Sequence, residues 1–148
     1  MKQISMAVIL FLTVIGSTYA NRNNETPSFK GAKHFIQAFP QATEVNYKVK
    51  GDYTEVNFIW NGLQLQAFYD KEGNPVGTSR QIDIPNLPLS VQISLKKQYP
   101  GCTTTEAIEF DNPNDGLSYY VTAVESKATY VLRVSAAGEI SVFKKMKH

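Results

Sequence analysis

The spacing of apolar positions changes along this chain, and the changes separate helical segments from strands. From Phe29 to Phe39 the apolar residues recur at helical spacing, and Pro40 ends the segment because a residue before proline avoids helical angles. Thr26 and Pro27 supply a capping hydroxyl and a proline suited to a first helical turn. We therefore predict a first helix that begins at Thr26 and ends at Phe39.

Four segments in which apolar and polar residues alternate follow this helix, and each predicts a strand. Turn-forming residues separate the segments. Asn61-Gly62 is the clearest turn, because both positions tolerate the positive φ angles of a type I′ hairpin. The predicted strands span residues 45–49, 54–60, 63–69 and 76–82.

The second half of the chain repeats this order. Pro40 is matched by Pro100, 60 residues later, and Gly73 is matched by Gly138, 65 residues later. A nearly constant offset over a long stretch is typical of an internal duplication. Residues 89–99 alternate at period two and could form a strand, but their place in the repeat favours a helix. Four further strands are predicted over residues 104–110, 117–124, 128–134 and 139–143.

Each half is thus predicted to be one helix followed by an antiparallel meander of four strands. Antiparallel sheets commonly bury one face and leave the other in water. Helices from both halves would cover the same face of a joined sheet. We predict an α+β fold built as a tandem duplication, with repeats at about residues 26–84 and 85–148 and one open sheet face.

The alternation also sorts the strand residues onto two faces. The set that includes Leu65 and Leu132 is apolar and predicts the side facing the helices. The opposite set mixes polar and aromatic residues, which is typical of an interface, and Tyr and Arg often anchor binding. Tyr and β-branched residues also favour strands for structural reasons alone. The candidate binding face comprises Tyr53, Asn57, Ile59, Gln66, Phe68, Tyr120, Thr122, Val131 and Arg133.

Residues 1–20 have the pattern of a secretory signal peptide. Lys2 precedes an apolar run from Ile4 to Ile15, and small residues lead up to Ala20. The run is shorter than the roughly 20 residues that a membrane-spanning helix needs. We expect cleavage after Ala20, a single mature domain of residues 21–148 without a membrane span, and a periplasmic or secreted location.

The composition offers little catalytic chemistry. The chain has 15 basic and 13 acidic residues, a balance that predicts no nucleic-acid partner. Cys102 is the one cysteine, so an internal disulfide is excluded and stability must come from the core. We find no nucleophile–base set, metal-ligand spacing or phosphate-binding loop, and therefore predict no cofactor, no metal and no enzyme.

The order of elements resembles the PepSY-like family of exported bacterial proteins, many of them from gut Bacteroidetes. The resemblance rests on Phe39-Pro40 and Tyr99-Pro100 at the helix ends, on Leu87-Pro88, and on the closing Gly73 and Gly138. It covers nearly all of residues 21–148. The family is related in fold to the β-lactamase inhibitor protein, which binds an enzyme through its concave sheet face. Such a resemblance implies a helix-plus-sheet fold of unassigned role.

The sequence therefore favours an exported binding module that docks an unidentified envelope or secreted protein or peptide on its open sheet face. An inhibitory role would use the same face. Two alternatives remain open. One is a carrier for a small ligand held between sheet and helices, which requires a cavity there. The other, an uncharacterised enzyme, has the least support.

Overall fold

The structure is a computed structural model, and it describes residues 27–148. The predicted signal peptide and Thr26 lie outside the described residues. Eight strands form one antiparallel sheet in which every strand pairs with its neighbours in the chain. The strands are β1 (Thr43–Lys50), β2 (Tyr53–Trp60), β3 (Leu63–Asp70), β4 (Pro75–Ile82), β5 (Thr103–Asn112), β6 (Gly116–Glu125), β7 (Ala128–Ser135) and β8 (Ile140–Lys147).

All eight predicted strands are present, and each of their ends lies within four residues of the predicted one. The turn between β2 and β3 has φ angles of 51° at Asn61 and 75° at Gly62, as a type I′ hairpin requires. The fold is thus the predicted α+β architecture of an open antiparallel sheet with two helices.

The first helix, α1 (Ala32–Ala38), is shorter than predicted. Its predicted start at Thr26-Pro27 is wrong, because the chain turns at Gly31, whose φ of 96° places it in the left-handed region. The ring of Phe29 lies outside the helix and packs against Tyr47 and Tyr69, with centroids 5.1 and 5.5 Å apart. Packing onto the sheet therefore overrides the local capping signal.

The second helix, α2 (Leu89–Gln98), lies close to its predicted bounds, and a short 3₁₀ turn at Ile84–Asn86 precedes it. Val91 and Leu95 are buried, one helical turn apart. They belong to a hydrophobic cluster with strand residues such as Val121 and Leu132. The period-two pattern arises because Leu89 and Ile93 are also apolar although both are exposed.

The helix side of the sheet contains two hydrophobic clusters, one under each helix. Phe35 of α1 packs against Val56, Phe58 and Leu65, whereas α2 covers the cluster around Leu132. The predicted helix-facing side is therefore confirmed, and the opposite side of the sheet is free of described helices.

The middle of the helix side is polar. Arg80 of β4 donates a hydrogen bond from Nε to Oε1 of Glu109 on β5, at 2.7 Å. Burial is the main cause that raises the pKa of Tyr119, and the neighbouring carboxylate of Glu109 adds to it. This polar strip separates the two clusters within one continuous sheet.

Candidate functional site on the open sheet face

The strand register brings the predicted binding residues onto one face. Asn57 lies opposite Gln66 in the β2–β3 pair. Tyr120 lies opposite Arg133 in the β6–β7 pair. Directly opposed residues of antiparallel strands point to the same side of a sheet. The predicted set therefore shares the side away from the helices.

An aromatic stripe crosses this face. It consists of Tyr53, Phe68, Phe110, Tyr120 and Phe143, which come from five different strands. Successive ring centroids are 6.5, 6.2, 6.3 and 5.3 Å apart along that order. These separations and the tilted or edge-on ring angles suit aromatic pairs. The stripe forms a third hydrophobic cluster on the side opposite the helices.

Gly77 of β4 makes the centre of the stripe possible. Phe68 and Phe110 lie on strands two places apart, so their backbones are roughly 10 Å from each other. Their rings nevertheless approach to 6.2 Å, because Gly77 has no side chain between them. A Cβ atom at Gly77 would lie 2.4 Å from Cζ of Phe110 and 2.7 Å from the carbonyl oxygen of Asp111.

The stripe corrects one part of the sequence prediction. Tyr53, Phe68 and Tyr120 were predicted to belong to the binding face, but only 7%, 1% and 2% of their surfaces are exposed. Their rings lean towards one another across neighbouring strands instead of extending into water. They therefore stabilise the open face from within, and their side chains offer little surface to a partner.

A polar ladder runs beside the stripe across the first four strands. Lys50 on β1 pairs with Glu55 on β2, whose side chain is almost fully buried. Asn57 donates to Glu55 at 3.0 Å, Gln66 donates to Asn57 at 2.8 Å, and the hydroxyl of Ser79 donates to Gln66 at 3.2 Å. Five side chains on four strands are thus held in fixed orientations.

The opposite end of the stripe has a less saturated polar group. Arg133 donates weakly to the hydroxyl of Ser118 at 3.3 and 3.4 Å, and one of its nitrogens is 3.8 Å from a carboxylate oxygen of Asp115. These three residues line a shallow cleft of about 320 Å³ near the β5–β6 hairpin. Arg133 is half-buried and keeps accessible donors.

The hydroxyl of Tyr120 is buried and has no hydrogen-bond partner among residues 27–148. Burial is the main cause that raises its pKa. The charge of Arg133 opposes this effect, and that of Asp115 adds to it. A buried hydroxyl without a partner is uncommon, since desolvation without compensation is unfavourable.

The remaining predicted residues are half-buried. Ile59 lies near the β2–β3 hairpin, Thr122 lies opposite Val131, and Val131 packs against the stripe. Sequence reasoning missed Phe110 and Phe143 in the stripe and Lys50 and Ser79 in the ladder. Alternation in β5 could have assigned Phe110 to the open face. Its neighbours on that face could not be predicted, because the sequence does not give the pairing register between strands.

A second concave surface lies on the helix side, beside α1. It is a cleft of about 280 Å³ whose walls include Ala38, Phe39, Pro75 and Pro113. Nδ1 of His34 and the hydroxyl oxygen of Tyr69 are 3.2 Å apart at its edge. Burial raises the pKa of Tyr69 to about 12.

Two observations on the described residues concern metal binding and the cysteine thiol. Among residues 27–148 no group of His, Cys, Asp and Glu side chains could hold a metal ion. Burial, followed by the charge of Glu125, raises the pKa of the Cys102 thiol, which disfavours the nucleophilic thiolate.

Comparison with known proteins identifies structures that share the fold of this chain, but it does not assign the chain to a family. No family model and no curated protein matches the chain. A BLIP-like protein from Bacteroides fragilis has a similar structure, with 21% identity, a TM-score of 0.69, and coverage of 82% of this chain and 86% of that chain.

Two further solved structures are similar. A DUF2874 family protein from Bacteroides uniformis shows 14% identity and a TM-score of 0.70, covering 82% of this chain and 89% of that chain. A candidate periplasmic protein from Bacteroides eggerthii shows 12% identity and a TM-score of 0.68, covering 83% and 89%. Identities this low show a shared BLIP-like fold alone. None of the three is named as an enzyme.

Proposed function

We propose that this protein is an exported, non-enzymatic binding module that docks a protein or peptide on its open sheet face. The polar ladder is the observation that carries the proposal. Its side chains are fixed by mutual hydrogen bonds on a face that no described helix covers. Polar groups that are already ordered lose little freedom on binding, and this favours affinity and specificity.

The partner would contact the accessible residues of the face and not the aromatic stripe. These are the half-buried side chains at both ends and beside the stripe, and the stripe would hold them in place from beneath. The likeness in fold to a BLIP-like protein supports a binding role, and an inhibitory role would use the same surface. The proposed contact residues are Asn57, Ile59, Gln66, Thr122, Val131 and Arg133.

Export is part of the proposal. The signal-peptide pattern of residues 1–20 and the fold shared with a candidate periplasmic protein both support it. Within residues 27–148 no helix is long and apolar enough to cross a bilayer. Mass spectrometry of the exported protein should find Asn21 as its first residue. A full-length product in the envelope would contradict cleavage.

We also propose that the chain is PepSY-like and consists of two repeats. Each half has one α-helix followed by four strands. The glycines that match at 65 residues also have matching surroundings. A Cβ at Gly73 would lie 2.7 Å from the backbone nitrogen of Gly31, just before α1, and one at Gly138 would lie 2.7 Å from Oγ of Ser94 in α2. Each glycine thus permits its turn to approach its own helix closely.

A small-ligand carrier is the second candidate function. The cleft of about 280 Å³ beside α1 favours it, since its walls are largely apolar and His34 and Tyr69 lie at the edge. Typical ligand sites enclose about 300–1,000 Å³, so the cleft suits only a very small ligand.

Site-specific photo-crosslinking would test the docking face. A photoreactive amino acid at position 59 or 122 lies on the open face, and matched probes at positions 37 and 98 lie on exposed helix residues. We expect a discrete crosslinked product in envelope extract from the first pair only. Thr122→Arg, checked for folding by circular dichroism, should abolish the product from position 59. Equal products from all four positions, or none, would refute docking on this face.

A further inference from the structure

Helix α2 is apolar on two sides. Val91 and Leu95 face the core, whereas Leu89 and Ile93 are 71% and 57% exposed. Residues four positions apart in a helix are neighbours on its surface, so Leu89 and Ile93 form one outward strip. Lys96 and Lys97 continue the strip at the end of the helix. Packing within residues 27–148 does not account for the two outward aliphatic residues.

The large apolar side chains that are exposed in the described chain all lie on the helix side. Three are on the helices themselves, and the register places the other five on the sheet surface that faces the helices. The open face, by contrast, has its aromatic residues buried. The exposed set is Ile36, Tyr47, Val49, Leu63, Leu89, Ile93, Leu117 and Val142.

Charged residues are also distributed unevenly between the helices and the rest of the described chain. We define the helix layer as residues 28–39 and 88–99, the two helices with their flanking residues. It contains no acidic residue, whereas the described acidic residues lie on strands and in the connecting segments. Its four lysines are all exposed and are Lys30, Lys33, Lys96 and Lys97.

We propose that the helix layer docks on an anionic lipid surface, with Leu89 and Ile93 entering the headgroup boundary. Surface-lying helices combine aliphatic residues with lysines, whose flexible stems let the ammonium groups stay at the headgroups. Protein interfaces are instead enriched in aromatic residues and Arg and depleted in Lys. A second copy is disfavoured because the lysines of two helix layers would face each other.

The open sheet face would then point away from the lipid and stay accessible. Leu89 and Ile93 are on the side of the sheet opposite the polar ladder, so both surfaces can be occupied at once. The inference does not depend on the proposed partner of the open face, because vesicle binding requires no protein partner.

Vesicle co-sedimentation tests the proposal. The chain from Asn21 is used, because the apolar run of residues 4–15 would itself bind lipid and every described helix and strand is retained. We expect sedimentation with phosphatidylglycerol-containing vesicles at low salt, little with pure phosphatidylcholine vesicles, and release by about 0.5 M salt, which screens charges beyond a few ångströms.

Two variant pairs and two matched controls locate the surface. Leu89→Ser with Ile93→Ser, and Lys96→Gln with Lys97→Gln, should each weaken vesicle binding at least fivefold. The aliphatic control Val49→Ser with Leu63→Ser changes two exposed residues that lie on strands, outside the helix layer, and should stay within twofold of the parent.

The charge control Lys48→Gln with Lys127→Gln removes two exposed lysines from outside the helix layer and should also stay within twofold. No binding to anionic vesicles, or equal losses in variants and controls, would overturn the proposal. The proposal would also fail if the parent bound no vesicles and the α2 variants instead lost a crosslink to a protein partner. The helix layer would then be a protein interface.

Discussion

Replacing Gly77 with alanine should destabilise the protein, although such a change in an ordinary strand position is favourable. Gly77 has no positive φ angle, so its backbone does not require glycine. Alanine would reduce the freedom of the unfolded chain, a gain of about 0.4–1 kcal/mol. The structure opposes this gain with a steric conflict at the centre of the aromatic stripe.

The magnitude follows from what the new methyl group would meet. Cζ of Phe110 would lie at 2.4 Å and the carbonyl oxygen of Asp111 at 2.7 Å. The rings of Phe68 and Tyr120 flank the Phe110 ring, and the carbonyl oxygen belongs to the paired strand β5. Overpacking of this kind costs about 1–3 kcal/mol. Subtracting the gain in the unfolded chain leaves about 0–2.6 kcal/mol. We expect a net loss in the upper half of that range, because the methyl group meets both a ring atom and a backbone oxygen.

Urea unfolding followed by far-ultraviolet circular dichroism measures the loss as a lower midpoint at unchanged slope. Gly101→Ala is the matched control, because no atom of the described residues lies within 4 Å of a Cβ at that position and its φ is not positive. That variant should be neutral or slightly stabilised. In the background of Phe110→Leu, adding Gly77→Ala should cost less than it does alone, since the two positions contact each other. A neutral or stabilising Gly77→Ala would refute the close approach of the rings over β4.

Three further outcomes follow from the structure. Lys50→Met leaves the buried carboxylate of Glu55 without its cationic partner and should cost about 2–3 kcal/mol by urea unfolding, less than for fully buried pairs because Lys50 is partly exposed. Glu55→Gln in that background should restore part of the loss. A neutral Lys50→Met would contradict the polar ladder. Trp60→Phe removes the 2.9 Å hydrogen bond from Nε1 to the carbonyl oxygen of Pro40 and should lower the free energy of unfolding by about 1 kcal/mol. An unchanged urea midpoint would show that this bond is not formed. The pKa of Tyr69 is raised from 10.0 to about 12 in the folded protein. The unfolded chain therefore loses the hydroxyl proton at lower pH, and the free energy of unfolding should fall as pH rises from 10 to 12. Tyr69→Phe should make this decline shallower, and an identical decline in the variant would argue against burial of the hydroxyl.

The sequence by itself determined the order of elements and the two faces of the sheet. Alternation of apolar and polar residues is a local property, and it located every strand and the hairpin turn at Asn61-Gly62. The helix-facing side followed from it as well, because side chains in a strand alternate with a fixed period of two. The position of α2 was also predictable, since Pro88 and Pro100 bracket it.

The start of α1 was decided by tertiary structure. Thr26-Pro27 is a sound local start signal, but Phe29 contributes more by packing on Tyr47 and Tyr69 than by joining a helix. Capping preferences are worth about 1 kcal/mol, and burial of an aromatic ring outweighs them.

Tertiary structure also decided which residues of the open face are accessible. Alternation assigns Phe68 and Tyr120 to that face, yet their burial depends on Phe110 and Phe143, which belong to strands two places away. Such contacts require the register of the whole sheet and the gap that Gly77 leaves. A strand pattern states which side a residue is on, whereas its exposure depends on neighbours that are distant in the chain and meet it only once all eight strands are paired.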